Sequence, residues 1–241
     1  MKKLKPIITE KLQIFLDYDG TLVPIQPDST KTYAGSELLG ILSELDSKYD
    51  TWIVTGRTME SIVGFIGSDF NIVGLHGLVV HRKDGVTRYD QILGKYRPLF
   101  EKVLKMNEEI SQKFPGVKIR DKVGAISYTT WDMSDDDISA LKTYLADTAK
   151  DMEIDFYPGI RIFELRIPGV NKGLAIRKLR NGSPALIIGD DLTDEDSFRE
   201  NSDAINVKVG DGDTIAEFRL SCPDDVISLL HDISGYRPAT S

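Results

Sequence analysis

The sequence predicts an α/β protein, a doubly wound parallel sheet core with an inserted α+β cap. Three observations lead there. Near the start of the chain, short apolar runs that stop at Asp, Gly or Thr alternate with helical stripes, the pattern of a parallel sheet with crossover helices. The middle of the chain instead carries one long helical stripe and strands spaced for antiparallel pairing. The first pattern then resumes. The expected division is residues 1–83 for the first part of the core, 84–167 for the cap and 168–241 for the second part.

Each element has a local reason. Ile14-Phe15-Leu16 is a buried-strand run ending in Asp17-Tyr18-Asp19-Gly20-Thr21. A Pro-containing loop, Pro24 to Thr32, leads to a helix with Leu38, Leu39, Ile41, Leu42, Leu45 and Tyr49 on one stripe. Trp52-Ile53-Val54 is a second strand ending in Thr55-Gly56-Arg57, Met59 to Ile66 is helical, and Asn71 to Leu75 is a third strand followed by His76-Gly77. The character changes at Lys83-Asp84-Gly85. Leu93, Tyr96, Phe100, Val103, Met106, Ile110 and Phe114 then mark a long amphipathic helix stopped by Pro115-Gly116. Strands at Val117 to Arg120 and Ala125 to Trp131 suggest a hairpin, and Ser134 with Asp137 forms a capping pattern before the next helix. Glu153 to Tyr157 and Arg161 to Ile167 supply two more strands. Beyond Gly169, Lys172 to Arg180 is helical, Ala185 to Ile188 and Asn206 to Val209 are the fourth and fifth core strands, and Asp224 to His231 is the last helix.

Composition narrows the function classes. The chain has 241 residues, 41% of them hydrophobic, and no apolar stretch of the roughly 20 residues that a membrane span needs. A basic start without an uninterrupted apolar region argues against a signal peptide. The single cysteine, Cys222, rules out an intramolecular disulfide framework and a thiolate zinc site, so a cytoplasmic protein is expected. A net charge of −8 argues against nucleic acid as a partner. An anionic substrate would need a local cluster of cations.

A metal ion held at the strand tips, with a few Lys and Arg side chains, could supply one. In a parallel sheet the carboxyl ends of the strands face one crevice. Asp17 and Asp19 stand there on the first strand, Thr55 and Gly56 on the second, and Asp190, Asp191 and Asp194 after the fourth, with Lys172 starting the helix before it. Taken alone, Asp19-Gly20 could also be a hairpin turn. Together, carboxylates, a hydroxyl and a lysine suit a phosphoryl group held with Mg²⁺, a hard cation that prefers oxygen ligands.

Asp17-Tyr18-Asp19-Gly20-Thr21, Thr55-Gly56-Arg57, Lys172 and Gly189 to Glu195 resemble, in order and setting, the four motifs of the haloacid dehalogenase superfamily of phosphotransferases. Gly74-Leu75-His76-Gly77, Phe163 to Arg166, Gly169 to Gly173 and Val209 to Thr214 sharpen the resemblance to the trehalose-6-phosphate phosphatase family, whose lid is a type C2 cap. The resemblance implies hydrolysis of trehalose 6-phosphate through an aspartyl-phosphate, with Asp17 as nucleophile and Asp19 as general acid and base. It implies Mg²⁺ held by Asp17, the Asp19 main-chain carbonyl and Asp190, with Asp191 and Asp194 behind them. Thr55, Gly56 and Lys172 would meet the phosphoryl oxygens, and His76 and Gly77 would line the sugar site, although a histidine there could instead hydrogen-bond a loop carbonyl; Arg57 is expected either to contact substrate or to cap its helix. In the cap, period-2 alternation turns Glu164 away from Phe163 and Leu165. By resemblance Glu164 and Lys122 would receive the sugar.

Thr129-Thr130-Trp131 departs from the His-Tyr-Arg run typical of that family. Sucrose phosphate and mannosyl-3-phosphoglycerate therefore stay open as substrates. A phosphosugar mutase or a non-catalytic sugar-phosphate sensor is the further alternative. The expected partner is a small-molecule sugar phosphate, with no nucleic acid, no membrane and a monomeric chain.

Overall fold

The computed structural model describes residues 12–159 and 161–235, to which all structural statements refer. The basic N-terminal segment and the residues after 235 lie outside them, and so does the expectation about a signal peptide. In chain order the elements are β1 (Gln13–Asp17), α1 (Ser36–Lys48), β2 (Asp50–Val54), α2 (Met59–Ile66), β3 (Asn71–Gly74), a 3-10 turn (Leu75–Gly77), β4 (Val79–His81) and β5 (Thr87–Tyr89). Then come α3 (Ile92–Lys113), β6 (Lys118–Lys122), β7 (Ala125–Thr129), α4 (Asp135–Met152), β8 (Asp155–Gly159) and β9 (Ile162–Arg166). The chain continues with α5 (Lys172–Arg180), β10 (Ala185–Gly189), α6 (Leu192–Glu200), β11 (Ile205–Val209), β12 (Phe218–Leu220) and α7 (Pro223–Ser234).

Two compact units result, one running to Arg88 and resuming at Asn171, the other Tyr89–Val170. These divisions fall a few residues from those read in the sequence. Lys83-Asp84-Gly85, read there as the change of domain, is a turn inside the first unit. The Arg82 carbonyl accepts from Gly85 N–H at 2.9 Å and the Arg82 N–H donates to the Val86 carbonyl at 2.8 Å, leading the chain from β4 to β5.

The larger unit is an eight-stranded sheet in the order β12-β11-β10-β1-β2-β3-β4-β5. Pairing is parallel from β12 to β3, and β4 runs antiparallel to β3. Alternation along β1 explains the layers. Ile14 and Leu16 join Ile41, Leu42 and Leu45 of α1, Ile62 of α2, and Leu229 and Leu230 of α7 in one apolar cluster. Phe15, on the opposite face, joins Trp52, Ile187, Ile176 of α5 and Phe198 of α6 in a second. Helices cover both faces, as a parallel sheet requires. Strands β4, β5 and β12 went unread in the sequence because each has three residues, too few for a period to register.

The smaller unit is an antiparallel sheet, β6-β7-β9-β8, with helices α3 and α4. Tyr128 of β7 donates its hydroxyl to Asn107 Oδ1 of α3 at 3.0 Å, which marks the helix-covered face. Ile126, Tyr128, Phe163 and Leu165 are buried, and Ser134 caps α4 by accepting from Asp137 N–H. In register on the other face stand Arg120, Ser127, Glu164 and Tyr157.

Leu45 sits in the α1 cluster with no solvent exposure. Leu45→Ala is expected to lower unfolding free energy by ~2–5 kcal/mol, since the cavity adds to the lost transfer energy. Denaturant unfolding measures this, and a loss below about 1 kcal/mol would contradict the packing described.

Candidate active site

The tip of β1 positions the centre. Asp17 is the last residue of the strand and follows the parity of Phe15, so its side chain leaves on the α5–α6 side. There α5 begins at Lys172, because Asn171 caps the helix by accepting from Leu174 N–H at 2.8 Å. Lys172 Nζ donates to Asp17 Oδ1 at 2.6 Å and to Asp194 Oδ1 at 2.9 Å. All three side chains are buried.

Asp194 has a second task. Its Oδ2 accepts the N–H groups of Asp190 and Asp191, both at 3.1 Å, tying the loop after β10 into place. Asp191 is the N-cap of α6 and forms a capping box with Asp194, so its carboxylate serves the helix end. Asp190 turns toward β1, where its Oδ1 accepts from the Thr21 hydroxyl at 3.2 Å. Gly20 makes this approach possible. It has φ +85°, and a Cβ there would lie 2.1 Å from an Asp190 carboxylate oxygen.

Electrostatics follow from burial. Desolvation holds the Asp17 carboxyl well above the usual range against the opposing pull of Lys172, and Asp194 and Asp190 push it further up. Asp190 is pushed up to about 7, chiefly by burial and then by Asp194. Burial works against the Lys172 charge, yet Asp17 and Asp194 outweigh it and raise its pKa. Asp17, Asp190 and Asp194 each offer an oxygen within 4.8 Å of the others, a carboxylate cluster able to hold a metal ion. The mutual repulsion that, after burial, raises Asp17 and Asp190 is what a bound cation would relieve.

The β2 tip forms a second group. Thr55 is buried, its Oγ1 accepts from Arg57 N–H at 3.2 Å, and its carbonyl accepts from His76 N–H at 3.0 Å. His76 lies in a backbone of positive φ, and its ring sits over Gly56 so closely that a Cβ there would come within 2.2 Å. Gly77 completes the turn that sets the ring there. Arg57 lies beside them, and its Nε and Nη2 clasp the two oxygens of Asp19 at 2.6 and 2.5 Å.

In the smaller unit Glu164 is buried, with Lys122 Nζ on Oε1 at 2.6 Å and Arg166 on Oε2. The Arg166 guanidinium also lies 4.0 Å above the Tyr157 ring. Sequence reading quoted Thr21 and Arg166 within motifs but gave them no role of their own, and it did not single out Lys208. The last is a buried lysine whose Nζ donates to the Asp190 carbonyl. A lysine inside the apolar run Asn206-Val207-Lys208-Val209 was the available signal, since a buried cation needs a partner.

Residues 15–223 match the trehalose-phosphatase family. A trehalose-6-phosphate phosphatase-related protein of Thermoplasma acidophilum is 39% identical over 208 residues, which is 86% of this chain and 90% of that one. A crystal structure of a trehalose-6-phosphate phosphatase related protein is 38% identical with a TM-score of 0.82, covering 92% of this chain and 97% of the other. A haloacid dehalogenase-like hydrolase from B. subtilis shares the fold at 16% identity and a TM-score of 0.65, covering 95% of this chain and all of that one (100%). The fold is thus that of haloacid dehalogenase-like hydrolases, and the chain belongs to the trehalose-phosphatase family.

Proposed function

We propose that the protein hydrolyses trehalose 6-phosphate to trehalose and inorganic phosphate. The observation that carries this reading is the cluster of buried Asp17, Asp194 and Lys172 with half-buried Asp190 in a chain of the trehalose-phosphatase family.

Asp17 attacks phosphorus in line, forming an aspartyl-phosphate as the bond from phosphorus to the sugar oxygen breaks. Asp19 gives that oxygen its proton. It then takes a proton from the water that attacks the intermediate, and Asp17 is released. Lys172, the Thr55 hydroxyl and the Gly56 N–H meet the equatorial oxygens, where charge grows in the transition state. The donor set fits a hard divalent cation, and Gly20 leaves the Asp190 carboxylate the space to face one. Mg²⁺ would be held by the Asp17 and Asp190 carboxylates and the Asp19 main-chain carbonyl, and would supply neutralisation of phosphoryl charge. Asp194 orients Lys172 and the Asp190 loop, while Asp191 holds the helix end. Glu164 and Lys122 are the groups assigned to sugar hydroxyls, and His76 and Gly77 are assigned to substrate on the β3 side.

A phosphate-release screen with Mg²⁺ over trehalose 6-phosphate, sucrose phosphate and mannosyl-3-phosphoglycerate tests the substrate. Trehalose 6-phosphate is expected to give the highest kcat/KM, and a preference for another member would overturn the assignment. Asp17→Asn is expected to lower kcat by on the order of 10³ or more, the scale of losing a nucleophile. Unchanged turnover in a folded variant would remove Asp17 from the chemistry.

The raised Asp190 carboxyl gives a pH signature. Its folded pKa of about 7 exceeds the ordinary 3.8, so the metal-free folded chain holds a proton that the unfolded chain has released. Stability is therefore lost as pH climbs through that window. A cation that binds the ionised carboxylates opposes the loss. Melting of the metal-free protein should fall from about pH 5 to about pH 8, and Mg²⁺ should raise Tm more at the upper end. Equal Mg²⁺ shifts at both ends would count against a metal on these carboxylates.

A further inference from the structure

We propose that Arg57 is a positioning residue for Asp19, fixing the carboxylate that moves the proton of the leaving sugar oxygen while making no contact with the phosphoryl group itself. This rests on the reading of Asp19 as general acid and base.

A guanidinium has five N–H donors, and every one of Arg57's is engaged. Nε and Nη2 form a planar fork on Asp19, Nη2 also donates to Thr32 Oγ1 at 2.7 Å, and Nη1 donates to the Ser29 carbonyl at 2.8 Å and to Ser61 Oγ at 3.2 Å. No donor is left for a phosphoryl oxygen. The guanidinium is further held 4.7 Å above the Phe65 ring. Its anchors come from three places: the loop before α1, the first turn of α2 and the aromatic at that helix's end.

The two partners differ in exposure. The Arg57 side chain is 10% exposed and the Asp19 side chain 33%, so a fixed, nearly buried cation grips an acid that stays partly exposed. A bidentate fork sets the plane of the carboxylate as well as its place. Proton transfer depends on that geometry, since misplacing a reacting group by about 1 Å can cost on the order of 10²-fold in rate. Lysine, a point charge on a flexible stem, cannot reproduce the fork.

Leaving-group chemistry separates this role from a merely structural one. A sugar alkoxide needs a proton to depart, whereas p-nitrophenolate leaves without one. The experiment compares wild type, Arg57→Ala, Arg57→Lys, Asp19→Asn and the Arg57→Ala/Asp19→Asn pair, with Mg²⁺, on trehalose 6-phosphate and p-nitrophenyl phosphate. Folding is checked by circular dichroism. Arg57→Ala should lower kcat on the sugar phosphate by at least about tenfold, part of the range that general acid catalysis supplies, with KM little changed. Its kcat/KM on p-nitrophenyl phosphate should stay within about threefold of wild type, and the double variant should be no slower than Asp19→Asn alone. Arg57→Lys should show the same selective loss, and it carries the comparison if the alanine variant does not fold. Equal losses on both substrates, a rise in KM alone, or additive losses in the pair would overturn the proposal. A wild type that releases no phosphate from trehalose 6-phosphate would instead sink the functional reading, which the selectivity of Asp19→Asn reports independently.

Discussion

The ammonium of Lys172 between Asp17 and Asp194 is the interaction on which the centre depends. Opposite charges about 4 Å apart attract by about 4 kcal/mol at the effective dielectric near 20 that describes protein sites. Desolvation works against that gain, so such a contact persists only when the groups are held in place and otherwise satisfied. The fold meets both conditions. Asn171 starts α5 so that Lys172 occupies its first position, and Asp194 spends its other oxygen on two backbone N–H groups of the loop after β10. One lysine therefore joins the tip of β1, the start of α5 and the first turn of α6. The third carboxylate, Asp190, brings an oxygen within 4.8 Å of the other two, a group that could hold a metal ion.

The same pocket treats its two motif acids differently. Asp17 is sunk among buried groups, whereas Asp19 stands a third exposed and gripped by a single guanidinium. Two residues apart in sequence, they share neither partner nor surroundings. A nucleophile benefits from a dry site that strengthens its interaction with developing charge. A group that must exchange a proton with a leaving oxygen and then with water benefits from an open side. The two acids thus have separate partners, Lys172 for one and Arg57 for the other.

How much of this could be read from the chain depends on whether a signal is local. The runs Ile14 to Leu16, Trp52 to Val54 and Ala185 to Ile188 are dense in apolar residues and end at polar tips, so the central strands and the placing of Asp17, Thr55 and Asp190 were legible. Ser134 and Asp137 carried their helix start in four residues. Edge strands such as Val79–His81 and Phe218–Leu220 were not legible, because three residues paired by distant neighbours leave no period. Partner choice was hidden for the same reason. Nothing near Arg57 says that it will turn to Asp19, 38 positions away, and Lys208 finds its acceptor 18 positions back.

Glu164 joins the two kinds of signal. Alternation in Arg161 to Ile167 placed it on the face away from Phe163 and Leu165, which sheet pairing reproduces. Its ion pairs with Lys122 and Arg166 required the neighbouring strand and a residue two positions along its own. A carboxylate already oriented by two cations gives up little rotamer freedom when it accepts a further hydroxyl, and its remaining lone pairs keep a defined direction. The two cations also offset the cost of burying it, so these ion pairs are what allow a carboxylate to stand in a buried position at all.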